Sequence, residues 1–177
     1  MNKSKALKQT VRAALCAALI AVSSFIIIPI SAVPVTLQTF TVCVTAALLG
    51  LKWGVVSVSV YILLGAAGLP VFSGFGGGIG VLMGAGGGFI WGFLIIAFIV
   101  GFCADKFGCS FKRILLAMSI GTLACYSTGV LWYALVFDRS GGFISALTTC
   151  VIPFILPDIV KIIAAATVAS KLKKRIK

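Results

Sequence analysis

Thirty-nine residues lie between Arg12 and Lys52 without one charge among them, and 52 more lie between Lys52 and Asp105. Runs of this length do not suit a soluble fold. Globular domains carry about 25% charged residues, whereas this chain carries 10% and is 61% apolar. The chain therefore reads as an integral membrane protein. A helix needs about 20 apolar residues to cross the hydrocarbon core, so each run is too long for one span and has to turn within itself. Pro29 and Pro34 divide the first run, and a glycine-rich middle divides the second. The expected architecture is all-α, a single six-helix membrane domain over residues 1–177, with spans near 11–29, 38–50, 53–67, 86–104, 112–136 and 143–171. Lys3, Lys5, Lys8 and Arg12 before an apolar run imitate a secretion signal, but the run extends to Ile30 and further spans follow, which predicts an uncleaved first helix.

The 15 basic residues set the orientation. With six spans, 13 of them fall on the side of both termini: the N-terminal four, Lys52, Lys106, Lys112, Arg113 and the tail of Lys171, Lys173, Lys174, Arg175 and Lys177. Arg139 alone falls on the other side, and Lys161 lies within a span. Positive residues accumulate on the cytoplasmic side of a membrane, so both termini are expected in the cytoplasm. The net charge of +12 is thereby topogenic, and no basic face interleaved with stacking aromatics suggests nucleic acid. The chain has no His and no Glu, and its six cysteines form no CxxC pair, which leaves almost no ligand set for a metal. It has no GxxxxGK[ST] loop to cradle phosphate, and no nucleophile has a base beside it. Neither an ATPase nor any other enzyme is expected, and no cofactor.

Polar chemistry concentrates in the last span, at Leu156-Pro157-Asp158-Ile159-Val160-Lys161. Residues i and i+3 share a helix face, so Asp158 and Lys161 project together. A charge at the bilayer centre costs about 2.5–3.5 kcal/mol on insertion scales, which makes such a residue a functional candidate. A mutually neutralising pair that only stabilises the bundle is the plainer reading, but a buried pair barely breaks even against apolar packing. Pro153 and Pro157 disturb the helix nearby. The two outer loops, 30–40 and 67–88, are apolar and uncharged. Irregular backbone at membrane depth is tolerated where it lines a cavity, so the loops are expected to form a lid and wall over an outward-opening pocket. Thr36, Gln38 and Thr39 supply the polar groups of the first loop, and Tyr61, Phe72, Phe75, Phe89 and Trp91 flank the proposed pocket. Glycines recur every four residues from Gly76 to Gly92. They have two readings, close packing of the fourth helix through Gly88 and Gly92 and, over 74–80, including Gly76, Gly77 and Gly78, a wall that brings backbone N–H groups to a ligand. Ala13, Ala14, Ala17, Ala18 and Ala21 form AxxxA pairs on the first helix, suited either to internal packing or to docking another subunit.

Three stretches resemble one family. Val33-Pro34-Val35-Thr36-Leu37-Gln38-Thr39-Phe40, then Tyr61-Ile62-Leu63-Leu64-Gly65-Ala66-Ala67-Gly68-Leu69-Pro70-Val71-Phe72, then Pro157-Asp158-Ile159-Val160-Lys161, are similar to the BioY family of biotin-binding S components of bacterial energy-coupling factor (ECF) transporters. Gly84-Ala85-Gly86-Gly87 stands where Gly-Pro-Thr-Gly is common in that family. The resemblance implies an S-component fold in the bacterial cytoplasmic membrane, multi-pass, with biotin as transported ligand. It further implies a transmembrane coupling (T) subunit and two cytoplasmic ATPases as partners, with Ala14 and Ala18 in the docking face. Asp158 would accept from a ureido N–H, and Lys161 would meet either the ureido oxygen or the carboxylate. Two alternatives stand beside this reading: an S component for another small vitamin, and a stand-alone channel or facilitator.

Overall fold

The computed structural model describes residues 3–29, 33–139 and 141–176. Ile30, Ser31 and Ala32 of the first outer loop and Lys177 of the tail lie outside the described residues, as do the side chains of Lys3 and Arg175. Helix α1 (Lys3–Ser24) leads into a two-stranded antiparallel hairpin, β1 (Ile27–Ile28) and β2 (Val35–Thr36). Helix α2 (Gln38–Ala66) follows, then a 3-10 turn (Ser73–Phe75) and the short α3 (Ile79–Met83). Helices α4 (Gly87–Lys106) and α5 (Phe111–Trp132) come next, the latter widening into a π turn (Tyr133–Phe137), and α6 (Gly142–Cys150) and α7 (Ile152–Ile176) close the chain.

Helix α2 is not one rod. Gly50 at φ 78°, ψ −175° interrupts it, in a region of backbone space open essentially to glycine alone. The Gln38 amide lies 2.5 Å from the Tyr61 hydroxyl, though at a rise of about 1.5 Å per residue a straight helix would hold them some 34 Å apart. A Cβ added to Gly54 would lie 3.0 Å from the Ala46 Cα. The chain therefore reverses at Gly50, and the arms 38–49 and 51–66 run side by side. Two charges hold the reversal. The Leu51 N–H, at the start of the second arm, donates to Asp105 Oδ2 at 2.8 Å. The Lys173 ammonium donates to the Ala47 and Leu48 carbonyls, at the end of the first, at 3.2 and 2.8 Å. An acid at a helix N-terminus and a base at a C-terminus each complement the helix dipole.

The other elements adjust the expected boundaries. Helix α1 ends at Ser24 rather than near residue 29, because Ile27 and Ile28 leave the helix to pair with Thr36 and Val35. The Ser24 hydroxyl donates to the Val71 carbonyl at 2.8 Å, tying this end to the second outer loop. The last span, expected over 143–171 with interruptions at Pro153 and Pro157, breaks once, at Val151 (φ −121°, ψ −52°) ahead of Pro153, and α7 accommodates Pro157 in its interior. Helices α4 and α5 pack through small residues. A Cβ at Gly88 would overlap Trp132, one at Gly92 would overlap Cys125, and one at Gly129 would overlap the Phe89 ring. Within lipid, such close approach is itself a main source of helix association. The glycines at 88 and 92 thus pack helices, while Ala13 and Ala17 are buried, with the Ser57 hydroxyl on the Ala13 carbonyl at 2.9 Å. Ala14 and Ala18 are exposed.

A cavity beneath the hairpin

The cavity is assembled around Asp158, 3% exposed on α7. Its Oδ1 forms an ion pair with Lys161 one turn along the same helix, and its Oδ2 accepts from the Tyr126 hydroxyl of α5 at 2.6 Å. Lys161 also donates to the Thr36 carbonyl of β2 at 2.9 Å. The pair therefore sits in the half of the bundle nearer the hairpin, and it ties that hairpin to α7. Thr36 is braced in turn. Its hydroxyl donates to Gln38 Oε1 at 3.0 Å, while the Gln38 Nε2 donates to Tyr61 Oη. The groups that a ligand would meet at the hairpin are thus held in place before it arrives.

The cavity encloses about 240 Å³. Thr36, Gln38 and Thr39 close it from the hairpin side, and Asp158, Tyr126, Thr122 and Cys125 supply its polar edge. Phe89, Ile90 and Phe93 of α4 and Phe154 of α7 form an apolar body, with the Phe89 and Phe154 rings stacked at 5.6 Å. Gly84, Ala85 and Gly86 complete the wall, held by the Trp132 indole N–H on the Gly84 carbonyl at 3.2 Å.

The remaining candidates stand around this cavity rather than in its lining. Tyr61 is 1% exposed behind Gln38, and Phe72 is fully buried against it, edge to face at 5.5 Å. Phe75 is 70% exposed and stacks on Phe25 at 4.4 Å. Gly76, Gly77 and Gly78 form a packed turn: Gly78 N–H donates to the Gly65 carbonyl at 2.7 Å, and a Cβ at Gly77 would overlap the Leu69 carbonyl. The glycine wall of the cavity lies farther along, at 84–86. Lys161 lies just behind the lining, with its ammonium engaged by Asp158 and Thr36.

Among the described residues one buried hydroxyl at the cavity, Thr122 Oγ1, has no hydrogen-bond partner, and Asp158 Oδ1 has the Lys161 ammonium alone against it. The ion pair compensates the charge of Asp158 and leaves its carboxylate with lone-pair capacity for one further donor. A buried hydroxyl left without a partner costs about 1–3 kcal/mol, and a ligand that donates or accepts at Thr122 removes the cost. Thr122 and Tyr126 escape a reading confined to charges. Their i, i+4 spacing places them on one face of an apolar helix, and that placement is their only signal in the sequence. Thr122→Val, nearly isosteric, is expected to raise the thermal midpoint of the unliganded protein by relieving the stranded hydroxyl. The same change should weaken ligand binding about 5- to 10-fold by removing one hydrogen bond. Calorimetry on the purified protein reads both, and a parallel change in the two would count against a ligand-facing Thr122.

Against known proteins the likeness runs the full length. The model of the BioY family matches residues 1–177. The chain belongs to the BioY family. Biotin transporter BioY of Thermotoga maritima is 40% identical over 168 residues, covering 95% of this chain and 97% of its own. Biotin transporter BioY2 of Lactococcus lactis is 36% identical over 150 residues, covering 85% and 81%. The crystal structure of the S-component for biotin from an ECF-type ABC transporter superposes with a TM-score of 0.89 at 26% identity, over 98% of this chain and 95% of that one. BioY relatives are thus transporters rather than enzymes, and this chain shares their helical membrane fold.

Proposed function

We propose that the chain binds biotin in the cavity beneath the hairpin and serves as the substrate-binding subunit of an ECF uptake transporter in the bacterial cytoplasmic membrane. The observation that carries this reading is a buried carboxylate, with a buried hydroxyl at Thr122 that has no hydrogen-bond partner, set at one polar edge of a cavity whose body is aromatic and aliphatic. Biotin is complementary to it: compact fused rings with a ureido group of two N–H donors and one acceptor. Asp158 Oδ1 accepts from a ureido N–H, Thr122 faces the polar edge, and Phe89, Phe93 and Phe154 hold the rings. Thr36, Gln38 and Thr39 close the mouth. Lys161 fixes the charge of Asp158, and its bond to Thr36 couples ligand contact to the position of the hairpin. A site built from such groups rejects ligands that leave them unpaired.

The charge pattern and the path of the chain support an orientation with both termini in the cytoplasm. Five helical stretches are long and apolar enough to cross a membrane among the described residues, and 38–66, one of them, doubles back at Gly50. Six crossings result, with both termini at the end that carries Lys52, Lys106, Lys112, Arg113 and Lys173. The positive-inside rule makes that end cytoplasmic, so the cavity opens outward. Delivery inward then requires a T subunit and two ATPases. Ala14 and Ala18, exposed on α1 while Ala13 and Ala17 face inward, give the T subunit a flat docking face.

Biotin binding to the purified protein in detergent, in competition with thiamine and riboflavin, tests the assignment. Trp132, bonded to the cavity wall at Gly84, provides a fluorescence signal. Binding that biotin alone displaces supports the proposal, and no binding by a folded protein overturns it. Ala18→Trp is expected to leave biotin binding intact and to weaken capture by the T subunit, since overpacking a close interface costs about 1–3 kcal/mol. Pull-down beside a binding assay separates the two effects.

A further inference from the structure

On the outer side of the seam between α5 and α7 lies a second hollow of about 310 Å³. It shares Thr122, Tyr126 and Asp158 with the cavity described above. Its rim is apolar and open: Leu123 is 63% exposed, Ile155 46% and Ile159 50%. On helices that lie in a bilayer, such a rim faces acyl chains. The wall between the cavity and the lipid is therefore one layer of side chains thick. Asp158 and Thr122 are buried on their own helices, and Tyr126, half-buried, bridges the two. Its ring spans the seam and its hydroxyl donates to Asp158 Oδ2 at 2.6 Å.

We propose that Tyr126 closes a lateral opening between the ligand cavity and the bilayer, and that its hydroxyl positions Asp158 for the ligand. The two tasks belong to different parts of one side chain. The ring keeps acyl chains away from a carboxylate whose electrostatics depend on a fixed, dry surround. The O–H occupies Oδ2 while Lys161 holds Oδ1, and the two together fix the plane of the carboxylate at the cavity edge. Loss of the ring opens the seam, whereas loss of the hydroxyl leaves the seam shut and the carboxylate less well held.

Cys125 makes the closure measurable without reference to any ligand. It lines the cavity and is 3% exposed. With Cys16, Cys43, Cys103, Cys109 and Cys150 replaced by Ala, the protein in liposomes is exposed to a maleimide carried on an acyl chain and so confined to the bilayer. Cys125 is expected to be protected with Tyr126 present and in Tyr126→Phe, and to label about tenfold faster or more in Tyr126→Ala, as expected where a local barrier is removed. Phe93→Ala, which loosens the cavity from its inner wall, should leave Cys125 protected from the same reagent. Equal labelling in Tyr126→Ala and the parent, or in Phe93→Ala and Tyr126→Ala, overturns the closure. The positioning role rests on the biotin reading and is tested apart from it. Tyr126→Phe should weaken biotin binding about 10- to 100-fold, the range for a hydrogen bond to a charged group, with Cys125 still protected. Unchanged affinity overturns that role, while failure of the parent to bind biotin overturns the ligand assignment and leaves the labelling result standing. If Tyr126→Ala does not fold, Tyr126→Val takes its place with the same expected labelling.

Discussion

Asp158→Asn is expected to abolish measurable biotin binding. The substitution replaces the carboxylate by an amide with one weaker acceptor oxygen and leaves Lys161 without its anion. Losing a hydrogen bond between charged and polar partners costs about 1.5–3 kcal/mol, and because the Tyr126 hydroxyl donates here it holds the amide oxygen and turns the amide N–H toward the ureido N–H, so a fall in affinity of about 100-fold follows. The fold is strained as well, since removing one member of a buried pair costs about 3–5 kcal/mol. A second variant separates site from scaffold. In Asp158→Asn with Lys161→Met, no unpaired charge remains, and a buried pair replaced by neutral groups is often nearly neutral in stability. That protein should recover most of its thermal midpoint and still fail to bind. Recovery of binding in the double variant, or wild-type affinity in the single one, would place the ligand elsewhere.

Gly50→Ala should be strongly destabilising, because it combines backbone strain with a steric overlap. The backbone at φ 78°, ψ −175° costs a non-glycine residue about 1–3 kcal/mol. The new Cβ would also overlap the Asp105 carboxylate and push it off the Leu51 N–H, a further loss of about 1 kcal/mol for a partly solvated bond. The expected result is a destabilisation of about 2–4 kcal/mol, read as a lower thermal midpoint in detergent. Biotin affinity of the folded fraction should be little changed, because Gly50 stands at the end remote from the hairpin. In an Asp105→Ala background the overlap is gone and only the backbone cost persists, so the two substitutions should be less than additive. Full additivity would show that Asp105 takes no part in holding the reversal.

Much of the scaffold is legible because charges are so few. Lys52 interrupts an uncharged stretch, and a turn beside it is the simplest way to keep it out of lipid; the chain does reverse there, at Gly50. Asp158 and Lys161 share a helix face by spacing, and they do pair. The hairpin is not legible, because strands of two residues have no period to read. Gly76–Gly78 and Gly84–Gly86 look alike as sequence. The former is packed against Gly65 and Leu69, and the latter lines the cavity. Tyr61 and Phe72 stand behind the site, since the Gln38 amide, by bonding the Tyr61 hydroxyl, interposes itself between them and the cavity.

The sequence by itself determined that this chain lives in a membrane, which end of it carries the positive charge, and that an acid and a base meet in its last helix. Those properties follow from local composition and helical period, which act over a few residues at a time. Only the tertiary structure decided that Thr122 is left without a hydrogen bond, that Tyr126 from another helix holds one oxygen of Asp158, and that Lys161 fastens the hairpin. Contacts between residues 32 and 125 positions apart depend on how helices cross, and that is set by where glycine and alanine let their backbones come close.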